Sequence, residues 1–578
     1  MFDTLISGGT VVDGTGSERR RADVGIRAGR IVAIGALEGP AERRIDASGR
    51  IVAPGFVDIH THYDAQVFWD STLSPSPLHG VTTVVGGNCG FSIAPLTPEA
   101  GGYLMRMLAR VEGMPIESLE QGVPWDWTDF GDYLDRLEGR LAVNAGFLVG
   151  HSALRRVVMG EAAVEGAASD SQVTAMVKLL GESLEAGGLG FSSSRSPTHN
   201  DGEGRPVPSR HADPSELIAL CAELRRHPGT ALEFLPGLGN FDDETTHLMT
   251  EMSLAANRPL NWNVLGVSSL GMELVESQLA ASDYASERGA KVLALTPSQV
   301  LDLRINFVSG FIFDAFPGWA PVLALPLEER KRALADRAVR ESLEKGATSD
   351  EAGVLRVLAA WEHMKIAETF TPEAAKHEGR RIGEVAKELG KTPMDTMLDL
   401  ALSEELRTSF APFIPGDDDP SWKLRAEVWK DPRTLIGASD AGAHLDMINT
   451  FTCSTSLLGP GVREKGLISL EEAIHQITDI PARLYGLRER GRVAEGWHAD
   501  LVVFDADRIG PGPIHTRHDL PAGAGRLYAE AEGIDSVLVG GSEIVRGKEC
   551  TRARPGTILR SGRDTETVEV PGERERSS

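Results

Sequence analysis

Between residues 55 and 438 the chain repeats one pattern eight times: a short apolar run of strand type, then a longer stretch of helix formers. The first run opens at Gly55, and the others cover 81–85, 145–150, 189–191, 231–234, 260–264, 291–295 and 434–438. Apolar strands alternating with helices belong to a parallel sheet covered on both faces, because each parallel connection needs a crossover. Eight such units predict an α/β chain built as a (β/α)8 TIM-like barrel. A barrel of this kind takes about 250 residues. This span is longer and needs insertions, and 97–140 and 300–430, rich in helix formers and charge, lie where loops can cap the barrel mouth.

Short strand-like runs separated by Asp-Gly and Gly-Arg turns fill 3–52, and similar runs recur at 500–505 and 534–541. The two chain ends are therefore expected to share a small β-sandwich domain. The expected division is 1–54 for its N-terminal part, 55–488 for the barrel with insertions, and 489–560 for its C-terminal part. Residues 561–578 are charged and nearly devoid of large apolar groups, which predicts a disordered tail.

Charge narrows the partners. With 59 Lys plus Arg against 84 Asp plus Glu the formal net charge is −25, a field that repels nucleic acid and acidic membrane surfaces. The four cysteines, Cys89, Cys221, Cys453 and Cys550, are too scattered for a disulfide framework, which fits a reducing compartment. The first twenty residues lack the basic start and apolar core of a signal peptide, and no run reaches membrane-spanning length. The expectation is a soluble cytoplasmic protein acting on a small molecule, with a homo-oligomer left open.

The chemistry starts at the first run. Phe56-Val57-Asp58-Ile59-His60-Thr61-His62 ends in two histidines one residue apart. Strand side chains alternate faces, so both imidazoles project to one side at the carboxyl end, a geometry that grips a metal ion. Asp58 and Asp64 are candidates to orient the two rings. Cys89 follows a glycine-rich strand end, where a thiolate makes a good zinc ligand and a plain buried cysteine is the alternative. Asp440 ends the last run, where a carboxylate can touch the metal, take a proton from the attacking water and return it to a leaving amine. Its alternative is an N-cap. Arg195 could clamp a substrate carboxylate, and His151 and His444 could polarise or position substrate, against ordinary structural roles for all three. His199, His211 and His247 find no place in this scheme. The glycine pairs lack the context of a phosphate loop, and no Gly-x-Ser stretch has that of a serine nucleophile.

Taken with Gly87-Asn88-Cys89-Gly90, Val149-Gly150-His151-Ser152, Ala438-Ser439-Asp440-Ala441 and Gly496-Trp497-His498-Ala499-Asp500, the first motif resembles the amidohydrolase superfamily, and within it the N-acyl-D-amino-acid deacylase (D-aminoacylase) family. The resemblance covers nearly the whole chain. It implies a barrel with a flanking sandwich, one or two zinc ions, and hydrolysis of a non-peptide C–N bond by a zinc-activated water. It also implies that Cys89 replaces the modified lysine of other amidohydrolases as a metal ligand, beside His60, His62 and Asp440. The family places histidines at the ends of the fifth and sixth strands, where this chain has Glu233 and Asn263. Both offer oxygen where imidazole nitrogen is expected, so the second metal site is either lost or rebuilt; one metal is expected, with two left open, and Glu233 is a candidate carboxylate ligand whose alternative is a solvated or salt-bridged side chain. Rival readings are a cyclic amidase or deaminase on the same scaffold, or a degenerate barrel that binds ligand without turnover.

Overall fold

The structure, a computed structural model of the chain, describes residues 1–310 and 312–572. Its architecture is α/β. The eight apolar runs become parallel strands, numbered here along the chain: β1 Phe56–Asp58, β2 Val81–Gly86, β3 Asn144–Phe147 resuming as Val149–Gly150, β4 Gly190–Ser194, β5 Ala231–Leu235, β6 Leu260–Asn263, β7 Val292–Thr296 and β8 Thr434–Ile436. They pair in chain order. One arc runs β1, β2, β3, and a second continues from the later half of β3 through β4, β5, β6 and β7 to β8. The arcs join where β3 changes partner, and Leu148 N donates to Gly86 O there at 2.9 Å. At the other side a parallel bridge pairs Thr61 with Ala441, just beyond β1 and β8. Across it His62 N donates to Ala441 O at 2.8 Å and Asp440 N to His60 O at 3.1 Å.

Strands buried on both faces need two apolar sides, and these have them. Val57, Ile59, Val85, Leu189, Leu293 and Leu435 meet in one interior cluster, while residues of the opposite face pack against the surrounding helices. The helices are cut to length by their caps. Asp170–Glu185, for example, starts in a capping box between Ser169 and Gln172. Gly190 opens β4 with φ +145°, and a Cβ there would lie 1.9 Å from Ala231 O, so the close pairing of β4 with β5 requires glycine.

The first insertion forms helices Pro98–Val111, Ile116–Gly122 and Phe130–Leu137. The second carries its own aromatic core, including Phe307, Trp319, Trp361 and Phe410, and a two-strand ribbon of Lys365–Glu368 with Ser409–Ala411. Strands from both chain ends interleave in a seven-stranded sheet, in which Ile51–Pro54 lies between Thr10–Val11 and Leu501–Phe504. That sheet and a four-stranded one from the first 46 residues share a buried cluster of Ile6, Val24, Val52, Leu501 and Leu538.

The disorder expected from residue 561 onward is corrected over 561–572. This stretch is short of apolar groups but is held by hydrogen bonds: Thr565 Oγ1 to Gly229 O at 2.6 Å, Glu566 N to Gly486 O at 2.7 Å and Gly572 N to Gly289 O at 2.9 Å. Residues 573–578 lie outside the described residues. Among the described residues no helix is long and apolar enough to cross a membrane.

Candidate metal centre

The carboxyl ends of the parallel strands bring together most of the residues that the motifs single out. His60 and His62 stand just past β1, and Asp440 comes to them from beyond β8. Its Oδ1 is 3.5 Å from His60 Nε2 and 3.1 Å from His62 Nε2. Cys89 sits in a short turn after β2, with Sγ 3.7 Å from His60 Nε2. The donor atoms of His60, His62 and Cys89 all lie within 4.8 Å of one another. Both Cys89 (φ 55°) and Asp440 (φ 54°) adopt left-handed backbone conformations that non-glycine residues rarely hold, a strain found where side chains are aimed for function.

The cluster is rich in buried acid. Burial pushes Asp58 up to about 6 and Asp64 and Glu233 up to about 7. Glu112 is raised as well, by burial and then by the charges of Asp440 and Asp64. Burial also raises the Cys89 thiol, reinforced by Glu233, Glu112 and Asp440. Burial opposes charge on His60, but the Asp440 carboxylate outweighs it and raises its pKa, whereas for His62 burial prevails. Asp440 resists its own burial: hydrogen bonds from the two histidines hold it well below the usual carboxylate range. Imidazole, thiol and carboxylate donors converge here, with His60 Nδ1 and Glu233 Oε1 buried and without hydrogen-bond partners. Such a donor set, with its surplus of negative charge, suits a divalent cation of the zinc type.

Other expected residues stand elsewhere. Asp58 and Asp64 do not reach the ring nitrogens; they accept backbone N–H groups instead, Asp58 from His60 at 3.3 Å and Asp64 from Gly87 at 2.9 Å. Glu233 spends Oε2 on the Cys89 N–H at 2.9 Å, leaving Oε1 as its available donor. His151 is fully buried, with Nδ1 on Ser193 Oγ and Nε2 on Glu216 Oε1, both at 2.8 Å, and Arg155 pairs with the same glutamate. With both nitrogens engaged, its place in this structure is one of support for β4. Arg195 is at the rim, 31% exposed, and 3.9 Å from Glu244. His444 Nε2 lies 3.7 Å from Asp440 Oδ2, and burial pushes it down to about 4.

Three further residues join the site: Glu112, which the sequence does not mark, Asn263, which stands where the family's sixth-strand histidine is expected, and His199, which the sequence leaves without a place. Glu112 follows helix Pro98–Val111 and puts Oε1 3.4 Å from His62 Nδ1. Asn263 ends β6 with Nδ2 3.4 Å from both His60 Nε2 and Cys89 Sγ. His199 bonds Ser194 Oγ at 2.8 Å, rests 4.9 Å from the Phe91 ring, and is pushed down to about 3 by burial and then by His444 and His62. Glu112 caps the end of a helix whose periodicity does not show which strand it folds back over, and His199 lies on an irregular stretch, although the histidine's place a few residues past β4 was a usable hint.

The amidohydrolase family profile matches residues 43–542, and the chain belongs to that family. It is a metal-dependent hydrolase of carbon–nitrogen bonds other than peptide bonds. D-aminoacylase of Alcaligenes xylosoxydans xylosoxydans is 30% identical over 575 residues, 96% of this chain and 97% of that protein. A solved D-aminoacylase with a binuclear metal centre, reported to show one-metal activation and second-metal attenuation, superposes with a TM-score of 0.65 at 28% identity, covering 97% of this chain and all of the other. N-acyl-D-glutamate deacylase of Bordetella bronchiseptica, solved with zinc and a phosphonate inhibitor, gives a TM-score of 0.65 at 25% identity, with the same coverage.

Proposed function

We propose that this protein removes the acyl group from N-acyl-D-amino acids, using one zinc ion held by His60, His62, Cys89 and Asp440, with Glu233 Oε1 as a further donor. The observation that carries this reading is the position of Asp440 Oδ1, 3.1 and 3.5 Å from the two histidines of the first strand motif. The scaffold belonging to it is a closed (β/α)8 barrel with a two-ended β-sandwich, supported by the ordered parallel pairing and the Thr61–Ala441 bridge. The domain division read from the sequence, with boundaries at 54, 488 and 560, is part of the same proposal.

A bound divalent cation supplies Lewis acidity, polarising a carbonyl and making water nucleophilic near neutral pH. The protein's own share is orientation and proton transfer. Asp440 is ionised at rest, keeps 28% of its side chain exposed toward the mouth, and so takes a proton from the nucleophile and returns it to the leaving nitrogen. His444, neutral and beside Oδ2, orients that carboxylate. Arg195 at the rim pairs with the carboxylate of the substrate's amino-acid part. The test is a screen of paired N-acyl-D- and N-acyl-L-amino acids and cyclic amides, with metal content measured on the same preparation. Cleavage confined to cyclic amides would overturn the substrate assignment, and a metal-free active protein would overturn the centre.

A further inference from the structure

Three atoms at the strand ends form a nearly equilateral triangle: His60 Nε2 and Cys89 Sγ are 3.7 Å apart, and Asn263 Nδ2 is 3.4 Å from each. Neighbouring ligands on one zinc, with bonds of about 2.0–2.3 Å, stand about 3.3–3.6 Å from one another at tetrahedral angles and somewhat closer where a fifth donor joins. All three edges agree with that spacing within about 0.1 Å.

As a set of hydrogen bonds the same arrangement is poor. A carboxamide NH2 directed at a thiol and an imidazole leaves its own Oδ1 buried without a partner, on a residue only 6% exposed. The oxygen and nitrogen of a carboxamide exchange places when the group turns by half a revolution, so which one faces the triangle follows from what it meets. Turned, Oδ1 joins Nε2 and Sγ, and three lone pairs converge on one point. With the sulfur ionised and the imidazole neutral, a cation between them makes that convergence favourable.

We infer that Asn263 is a metal ligand through Oδ1, closing a face of the centre with His60 and Cys89. The inference rests on the metal reading of the site and adds a donor to it. Charge is consistent with a single ion: the thiolate of Cys89 and the carboxylate of Asp440 balance one divalent cation before the further donor Glu233 is counted, and a neutral amide adds coordination without adding charge. Glu233, behind the Cys89 amide, holds the turn that presents the sulfur.

The two possible roles of Asn263 respond oppositely to aspartate. If its oxygen binds metal, Asn263→Asp supplies a stronger anionic ligand and zinc is held at least threefold more tightly. If its NH2 only donates to the thiolate, aspartate sets like charge against sulfur and zinc is held more weakly. Zinc dissociation constants are measured on the full-length protein by competition with a chromophoric chelator, with folding checked by circular dichroism. Cobalt substitution reports thiolate coordination through its charge-transfer band in the near ultraviolet. Asn263→Leu is expected to weaken zinc at least tenfold while the fold persists; should that variant not fold, the aspartate variant decides. Weakening in Asn263→Asp, or both variants within threefold of wild type, overturns the inference and leaves the metal centre standing. A wild-type protein that takes up no zinc defeats the inference together with the reading on which it rests.

Discussion

Glu112 Oε1 stands 3.4 Å from Nδ1 of His62, while the other nitrogen of that ring faces Asp440 Oδ1 at 3.1 Å. The same residue's backbone carbonyl accepts the His444 N–H, so one position on the first insertion holds the β8 loop and sets a carboxyl group beside the β1 histidine. A carboxylate behind a ligating imidazole fixes its tautomer and raises its basicity. Glu112→Gln is expected to weaken metal binding about 10–100-fold with the fold retained. Chelator competition measures it, and an unchanged affinity would remove Glu112 from the site.

Asp440→Asn keeps the size and the hydrogen bonds but cannot take up a proton at an ordinary pH. The turnover number should fall by about 10²–10⁴ with little change in KM. Steady-state kinetics on a variant confirmed to hold metal checks this.

Gly442 follows Asp440 at φ +91°, and a Cβ there would come within 2.8 Å of the His62 backbone. Gly442→Ala must push the last-strand loop away from the first. The strained backbone costs about 1–3 kcal/mol, and metal retention should drop with it. Thermal melting and metal analysis read the two effects separately, and a variant that melts and binds metal like wild type would refute the close approach.

His79 is buried between Thr455 Oγ1 at 2.8 Å and Ala529 O at 3.0 Å, and burial pushes it down to about 4. The unfolded chain binds this proton at about 6.5, so between those values the unfolded state carries more protons and stability rises with pH. The contribution is complete above about pH 6.5 and shrinks on acidification, by about 2 kcal/mol at pH 5. Urea midpoints of wild type and His79→Gln at pH 7.5 and 5 test the sign. Equal acid losses in both would exclude His79 as the source.

Asp500 joins the outer sheet to the parallel strands. It pairs with buried Arg490, accepts from Asn144 Nδ2 of β3 at 3.0 Å, and takes the Gly540 N–H at 2.8 Å. Removing one partner of a buried pair strands the other charge, so Asp500→Ala should cost about 3–5 kcal/mol. Denaturant unfolding measures it, and a loss below about 1 kcal/mol would show that Arg490 finds water instead.

The strands were legible because burial on both faces writes itself as uninterrupted apolar sequence; β2 and β5 fall within a residue or so of the runs that announced them. Ala41–Asp46 was not legible, since an exposed strand of Glu42, Arg43, Arg44 and Asp46 carries no apolar alternation. At the site, His60, His62, Cys89 and Asp440 each end an apolar run and could be placed by position alone. Glu112 could not, because its role depends on how an insertion folds back over β1. His151 was read as facing substrate because it follows a strand end, but the helix that it opens, His151–Met159, turns it toward Glu216.

The interleaving of Ile51–Pro54 between Thr10–Val11 and Leu501–Phe504 has an outcome for how this molecule assembles. Until the far segment arrives, the near one shows a bare, wholly apolar edge, the kind of surface on which chains stick to each other. Such distant pairings form late. Refolding yield should therefore depend steeply on protein concentration, with the clasp between the two termini the last piece to shut.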